Sequence, residues 1–210
     1  MTASPERLSP LAGWSDRFAA ASGIPRHFAI RETPFLAQID LRGDAANGDF
    51  NERVTAALGF DLPKANTWSG SAARGALWLG PDEWLIVAQG EDPPILEQRL
   101  RQALRDLHHS VVDLSANRTA IEMTGPEARL VLAKGMPIDL HARVFAPSAV
   151  AQSLLARTQV IVQCLDDRPT FRLFVRPSFS AYVAEWLLDA AAECAASRKF
   201  DADRLGARLT

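Results

Sequence analysis

Cysteine and tyrosine are scarce: 210 residues hold two cysteines and one tyrosine. Cys164 and Cys194 are far apart, and neither has a second thiol or imidazole at metal-ligand spacing. That excludes a disulfide framework and a zinc knuckle, and both read as buried or idle thiols. No apolar run approaches the roughly 18 residues of a membrane span. An excess of positive charge is missing too, with 23 Lys and Arg against 25 Asp and Glu and a net charge of −2. No basic stripe is visible, so neither a nucleic acid nor a membrane is an expected partner. The opening MTASPERLSPLAGW lacks a charged n-region and an apolar h-region. No secretory leader is expected, and the expected compartment is the cytoplasm. Neither G-x-G-x-x-G, G-x-x-x-x-G-K nor G-x-S-x-G occurs, so no dinucleotide, P-loop or serine-elbow site is signalled. His27, His108, His109 and His141 offer no metal pattern, and His108-His109 read as a solvated helix end suited to the helix dipole.

What is present is the composition of a soluble globular protein, 48% hydrophobic and 23% charged. A chain of this length buries about 70% of its unfolded surface and can hold a full core. The first 30 residues read as an irregular arm, with Pro5, Pro10 and Pro25 breaking any long element. Leu8, Leu11, Trp14, Phe18 and Ile24 give this arm an apolar character suited to lying on its own or another subunit, with burial against a partner chain expected. From Phe35 the pattern sharpens. FLAQIDLRG alternates with period two, which predicts a half-buried strand. Asp49 to Glu52 reads as a capping box for a helix carrying Val54, Ala57 and Leu58 and stopped by Gly59. ALWLG and WLIVA flank a Pro81-Asp82 turn and predict a hairpin. Pro94 can open a helix whose Leu96, Leu100, Ala103, Leu104 and Leu107 form one stripe.

The second half repeats the plan. NRTAIEMTG alternates, and Gly125-Pro126 opens a helix bearing Ala128, Val131 and Leu132 and closed by Gly135. Ser148 reads as the cap of a short helix with Val150, Leu154 and Leu155. QVIVQCL and TFRLFV are two strands around Asp166 to Pro169, and Ser180 reads as the cap of a last helix. Ile39 falls on Ile121, Asp61-Leu62 on Asp139-Leu140, and Val87 on Val175, a drifting offset that marks a duplication with small loop insertions. The expected fold is α+β: two similar β-α-β-β-α units with antiparallel sheets, packed as a pseudo-dimer. The expected division is an arm over 1–30, units over 31–108 and 109–197, and a loose polar tail over 198–210.

One stretch invites a catalytic reading. Asp113, Ser115, Asn117 and Arg118 lie within six positions at a strand end. A catalytic site needs a base beside a nucleophile and an oxyanion site, and no histidine is near in sequence. The same residues are what a turn wants: Asp and Ser accept backbone N–H groups, and Asn tolerates φ > 0. Arg118 is left to pair with Asp113 or to reach a carboxylate of a neighbouring chain.

Three ordered stretches carry a resemblance: LGPDEWLIV, VVDLSANRTAIEMTGPEARLVLAKGMPIDLH and FRLFVRPSFSAYVAEWLLDAAAE. Together, from about Leu79 to Glu193, they resemble the gamma subunits of bacterial heterotetrameric sarcosine oxidases. More distantly they are similar to the folate-binding aminomethyltransferases of the glycine cleavage system. The resemblance implies an aminomethyltransferase-like fold and alpha, beta and delta subunits as partners. It implies a complex that oxidises sarcosine to glycine, reduces oxygen to hydrogen peroxide and passes the one-carbon unit to tetrahydrofolate. It places FAD, FMN, NAD and tetrahydrofolate with the alpha and beta chains and zinc with the delta chain. For this chain it implies no catalytic, cofactor-binding or metal-binding residue.

Aminomethyltransferases carry a folate-facing Asp beyond the strand that resembles WLIV. Here that position falls on Ile95, with Glu91 and Asp92 close but out of register. The K-G-C-Y-x-G-Q-E motif of folate-binding iron–sulfur maintenance proteins is absent. Three readings therefore stand. The first is a non-catalytic subunit of a flavoenzyme complex. The second is a free-standing folate-binding aminomethyltransferase-like protein using Glu91 or Asp92. The third is an unrelated α+β scaffold module.

Overall fold

The alternating stretches become strands of two antiparallel sheets. The structure, a computed structural model, describes residues 7–22 and 27–206, with side chains through Glu193. Pro5, Ile24, Pro25, the Cys194 side chain and residues 207–210 lie outside the described residues. In chain order the elements are α1 (Ser15–Ser22), β1 (Ala29–Thr33), β2 (Ala37–Gly43), α2 (Gly48–Leu58), β3 (Trp68–Gly70), β4 (Arg74–Gly80), β5 (Glu83–Ala88) and α3 (Pro93–Leu104). The second half supplies β6 (His109–Asp113), β7 (Thr119–Thr124), α4 (Pro126–Ala133), β8 (Val150–Leu155), β9 (Thr158–Cys164), β10 (Phe171–Val175) and α5 (Pro177–Gly206).

The first sheet runs β3-β4-β5-β2-β6 and the second β1-β7-β10-β9-β8. The leading strand of each half thus lies in the sheet of the other. β1 pairs with β7, Ala29 opposite Thr124. β6 pairs with β2, His109 opposite Gly43. Each half reads β-β-α-β-β-β-α, two strands richer than the expected outline. β3 has three residues, too few for a periodic signal.

Period two assigns the faces. In the first sheet Ile39, Leu41, Trp84 and Ile86 meet Phe50, Val54 and Leu58 of α2 and Leu96, Leu100 and Leu104 of α3. In the second sheet Ile121, Leu173 and Val162 meet Ala128, Val131 and Leu132 of α4 and Val183 and Leu187 of α5. The opposite faces meet each other through Leu77, Leu79, Leu85, Val87, Ala120, Ile161 and Phe174. The order of layers is helix, sheet, sheet, helix, with each sheet buried on both sides.

Local chemistry fixes the ends. Asn47, not Asp49, caps α2: its Oδ1 accepts Phe50 N–H at 3.3 Å. Asp49 instead pairs with Arg53 one turn on. Gly59 ends α2 with φ 85°, and its N–H bonds Thr55 C=O. Gly125 opens α4 at φ 101°, where a Cβ would sit 2.3 Å from the His27 carbonyl oxygen, so only glycine fits.

Further expectations are corrected. VAQSLL is β8, not a helix. Val150 and Leu154 have helical spacing but equally share one face of a strand, and a run this short does not separate the two. Ser148, at φ 73°, bridges strands instead of capping. Ser180 does not cap α5, which begins at Pro177; its hydroxyl donates to the Pro177 carbonyl at 2.7 Å. Before residue 30 the chain forms α1 and the start of β1, and Leu11 and Phe18 are buried in this chain's own core, leaving Leu8 77% exposed. The helical backbone of α5 runs on to Gly206, past the expected start of a tail.

The layer between the sheets also holds charge. Glu122 and Arg172 lie opposite each other on β7 and β10, both side chains 4% exposed. Arg172 reaches Glu122 Oε1 through Nη2 at 2.6 Å and Nε at 2.9 Å. Arg31, across on β1, reaches the other oxygen at 2.5 Å. Arg172 also donates to the Ala72 carbonyl of the first sheet's hairpin at 2.9 Å, tying the sheets together. Burial alone would push the Glu122 carboxyl up, but Arg172 and Arg31 outweigh it and hold it below the usual carboxylate range.

Arg172→Met strands a buried carboxylate beside one exposed guanidinium and should cost about 3–5 kcal/mol of stability in urea unfolding. The paired change Glu122→Leu with Arg172→Met should recover most of that loss. Because the folded Glu122 pKa is depressed, its stabilisation is complete above the unfolded value of about 4.3 and is lost as pH falls below it. Urea midpoints should hold steady from neutral pH to about 5 and then drop, the drop being smaller in Glu122→Gln.

Candidate functional site

Residues 114–118 join β6 of the first sheet to β7 of the second, so this turn is where the sheets exchange chain. Asp113 Oδ1 accepts Ser115 N–H at 2.8 Å and the Ser115 hydroxyl at 2.5 Å. Ser115, buried, accepts Gln38 N–H at 2.9 Å on the same Oγ. Leu114 N–H bonds Gln38 C=O at 2.7 Å, and the Gln38 amide donates to Arg118 C=O at 2.7 Å. Both lone roles of the serine hydroxyl are taken, and its acidic neighbour is a carboxylate without an imidazole. The group orders a turn and docks it on β2. Asn117 contributes by backbone alone, its N–H bonding Leu114 C=O, and it is not among the residues at positive φ.

Arg118 does not pair with Asp113. It lines a cavity of about 420 Å³ with Arg176, Gln152, Ser153, Leu154, Gln159, Ile161 and Phe174. Gln152, Leu154, Ile161 and Phe174 lie on the faces directed between the sheets, so the cavity opens at one end of that layer. Arg118 Nη1 is buried without a hydrogen-bond partner among the described residues. Burial pushes its guanidinium down from the ordinary value, repulsion by Arg176 adds to this, and attraction to Asp40 and Glu83 opposes it. Arg176 and Gln152 were not singled out from the sequence. The available signal is slight: FRLFV is followed by an arginine and a proline, and VAQSLL satisfies both the helical and the strand period.

The folate-facing alternative rests on Glu91, and the structure uses that carboxylate elsewhere. Arg74 grips it with contacts of 2.7 and 2.9 Å, and Arg99 Nη2 lies 2.6 Å from its other face. Three charges thus fasten the end of β5 to α3. Asp92 precedes α3 without a side-chain capping bond, and Ile95 stands 59% exposed. These residues do not fit a free carboxylate directed at a pteridine. Among the described residues no cluster of three or more His, Cys, Asp or Glu is placed to hold a metal ion. His109 Nδ1 lies 2.8 Å from the Leu107 carbonyl at the end of the α3 connection. Cys164 is a buried free thiol whose pKa burial pushes up. No helix among the described residues is long and apolar enough to cross a membrane.

Comparison with known proteins places this arrangement. The family model for "Sarcosine oxidase, gamma subunit family" matches residues 42–193. The chain belongs to that family. Among curated relatives, the sarcosine oxidase subunit gamma of Corynebacterium sp. (strain U-96) is 36% identical over 197 residues, covering 91% of this chain and 93% of that one. The sarcosine oxidase subunit gamma of an Arthrobacter species is 36% identical over 169 residues, covering 79% and 81%. A chain of the solved heterotetrameric sarcosine oxidase from Corynebacterium sp. U-96 superposes with a TM-score of 0.82 at 35% identity, covering 89% of this chain and 95% of that one. Aminomethyltransferase T of the glycine cleavage system from Bartonella henselae shares the fold, with a TM-score of 0.60 at 18% identity over 77% of this chain and 45% of that one. The aminomethyltransferase-like pseudo-dimer expected from sequence is therefore the fold of this gamma-family chain.

The turn makes a specific demand on Ser115. Ser115→Ala removes the acceptor of the Gln38 N–H and one donor to Asp113, and should cost about 1–3 kcal/mol. Hydrogen exchange at the Gln38 amide should accelerate selectively, while amides of α2 and α5 keep their protection relative to the new global stability.

Proposed function

We propose that this chain is the gamma subunit of a cytoplasmic heterotetrameric sarcosine oxidase, assembled with alpha, beta and delta subunits. The complex oxidatively demethylates sarcosine to glycine, forms hydrogen peroxide, and transfers the one-carbon unit to tetrahydrofolate as the 5,10-methylene derivative. FAD, FMN, NAD and tetrahydrofolate belong to the alpha and beta chains and zinc to the delta chain. This chain contributes no catalytic residue; its part is to present a rigid double-sheet body against which the larger chains assemble. Leu8, at the head of the N-terminal segment, is one point of that contact.

The observation that carries this reading is the end-to-end agreement with a gamma chain of a solved heterotetramer, in sequence and in backbone, across about nine-tenths of both chains. Two features of the site support the non-catalytic part. Ser115, the serine of the candidate stretch, is locked with Asp113 into a turn. Glu91, one of the two acidic residues close to the folate-facing register, is neutralised by two arginines. The free-standing folate-binding reading has no observation in its favour beyond a shared fold.

Affinity purification of the tagged chain from its native cells tests the proposal. The expected eluate is yellow, contains two larger flavin-bearing chains and a small fourth chain, and consumes oxygen on addition of sarcosine. A colourless eluate holding a single species of 22.9 kDa, inert to sarcosine, would overturn it.

A further inference from the structure

Arg118 stands where two open cavities meet. The first, of about 420 Å³, also holds Arg176, Gln152 and Leu154. The second, of about 310 Å³, is lined by Arg118 together with Arg7, Leu8, Phe35, Ser115 and Thr119. Three guanidiniums therefore address one surface, and among the described residues no carboxylate lines either cavity. The carboxylates that lie near are committed elsewhere. Asp113 accepts from Ser115, and Glu32 accepts from the hydroxyls of Ser9 and Thr119. Asp40 and Glu83 are both drawn to Arg42, at 3.2 and 2.9 Å. Among the described residues Arg118 Nη1 stays buried with no acceptor. A guanidinium nitrogen removed from water without a hydrogen bond is destabilising until an acceptor arrives.

The surroundings of these charges are apolar. Leu8 is 77% exposed, Phe35 45% and Leu154 44%. Phe35 is held at φ 59°, a conformation that phenylalanine rarely adopts, with Arg7 stacked 5.1 Å over its ring. A half-buried arginine whose buried Nη1 has no acceptor among the described residues, ringed by exposed aliphatic and aromatic side chains, has the composition of an interface anchor. Small anions would satisfy the arginines in one cavity and leave Leu8 and Phe35 in water. A chain segment covers both.

The geometry points to a docking surface centred on Arg118 and rimmed by Leu8, Phe35 and Leu154, which receives a carboxylate side chain carried on an apolar segment of a partner subunit. This rests on the subunit reading above and names the surface through which it operates. Arg118 is the anchor, Arg176 and Arg7 set the positive field that selects an acidic partner, and the rim excludes water from the ion pair.

The test uses the assembled complex. Complexes carrying Arg118→Met or Arg176→Met are diluted and analysed by sedimentation for release of this chain. Truncating one partner of a desolvated charge pair should weaken retention on the order of 30-fold for Arg118→Met. Arg176→Met, at an exposed position and harmless to the fold, should weaken it less and reduce its salt dependence. Arg118→Lys, treated with carbodiimide, should form an amide to an Asp or Glu of another subunit, located by mass spectrometry. Three results would overturn the inference: retention of both Met variants within two-fold of the parent, a cross-link confined to this chain, or full assembly of Arg118→Met combined with citrate stabilisation of the parent chain that the variant loses. Failure of the unmodified chain to join any complex would instead bring down the subunit reading and this surface with it.

Discussion

One buried ion pair sets the terms for the space between the sheets. Both sheets use one face for their helices, so the second faces have only each other. Most of that contact is aliphatic, and a charge placed there must bring its partner. Glu122 brings two, Arg172 from the neighbouring strand and Arg31 from the exchanged one. Arg172 Nη2 also donates to a carbonyl of the opposite sheet. The cluster fixes strand register within the second sheet and the placement of one sheet on the other. A hydrophobic replacement would pack without choosing between registers.

The internal duplication gives this cluster a weaker counterpart. Ile39 and Ile121 correspond in the two halves, so Asp40 and Glu122, each one residue on, do as well. Both carboxylates are directed between the sheets and both are largely buried. Glu122 is buried against Arg172 and capped from the solvent side by Arg31. Asp40 shares Arg42 with Glu83, whose carboxyl burial pushes up against the opposing pull of Arg42. The two ends of one interface have thus diverged, one sealed around its charges and the other left open beside Arg118. An aminomethyltransferase-like body can in this way be retained as a packing unit while its charged positions are put to other uses.

Much of this was legible in the sequence, and for identifiable reasons. β2, the β4–β5 hairpin, α3, β7 and the β9–β10 pair have strong period and clear turn residues, and all five form as expected. β8 was misread because six residues spaced as Val150 and Leu154 satisfy both periods. The arm was misread because Leu11 and Phe18, isolated among prolines, gave no hint that they close the second sheet's core. At the site, Asp113 and Ser115 were recognisable as turn formers from type and spacing. Arg172 and Glu122 were not recognisable as a pair, since each occupies the polar position of an alternating strand and looks solvent-facing until a second sheet covers it. Arg176 and Gln152 are distant in sequence from Arg118, and only tertiary structure brings them to it.

The exchange of leading strands has a consequence for the order in which the molecule can come into being. β1 finds its hydrogen-bonding partner in β7, about ninety residues further along, and β2 must wait for β6 before its own sheet is finished. On the ribosome, the first half emerges with a sheet lacking one edge and a strand lacking a home. The edge closes only once residue 113 has been made, and the strand is paired in full only once residue 124 has. Synthesis at about 5–20 residues per second leaves that unfinished edge open for seconds, a long exposure for a paired-strand surface. The two halves, drawn apart by sequence, are therefore committed together by birth order: neither matures first, and pairing across so long a stretch of chain makes the final closure slow.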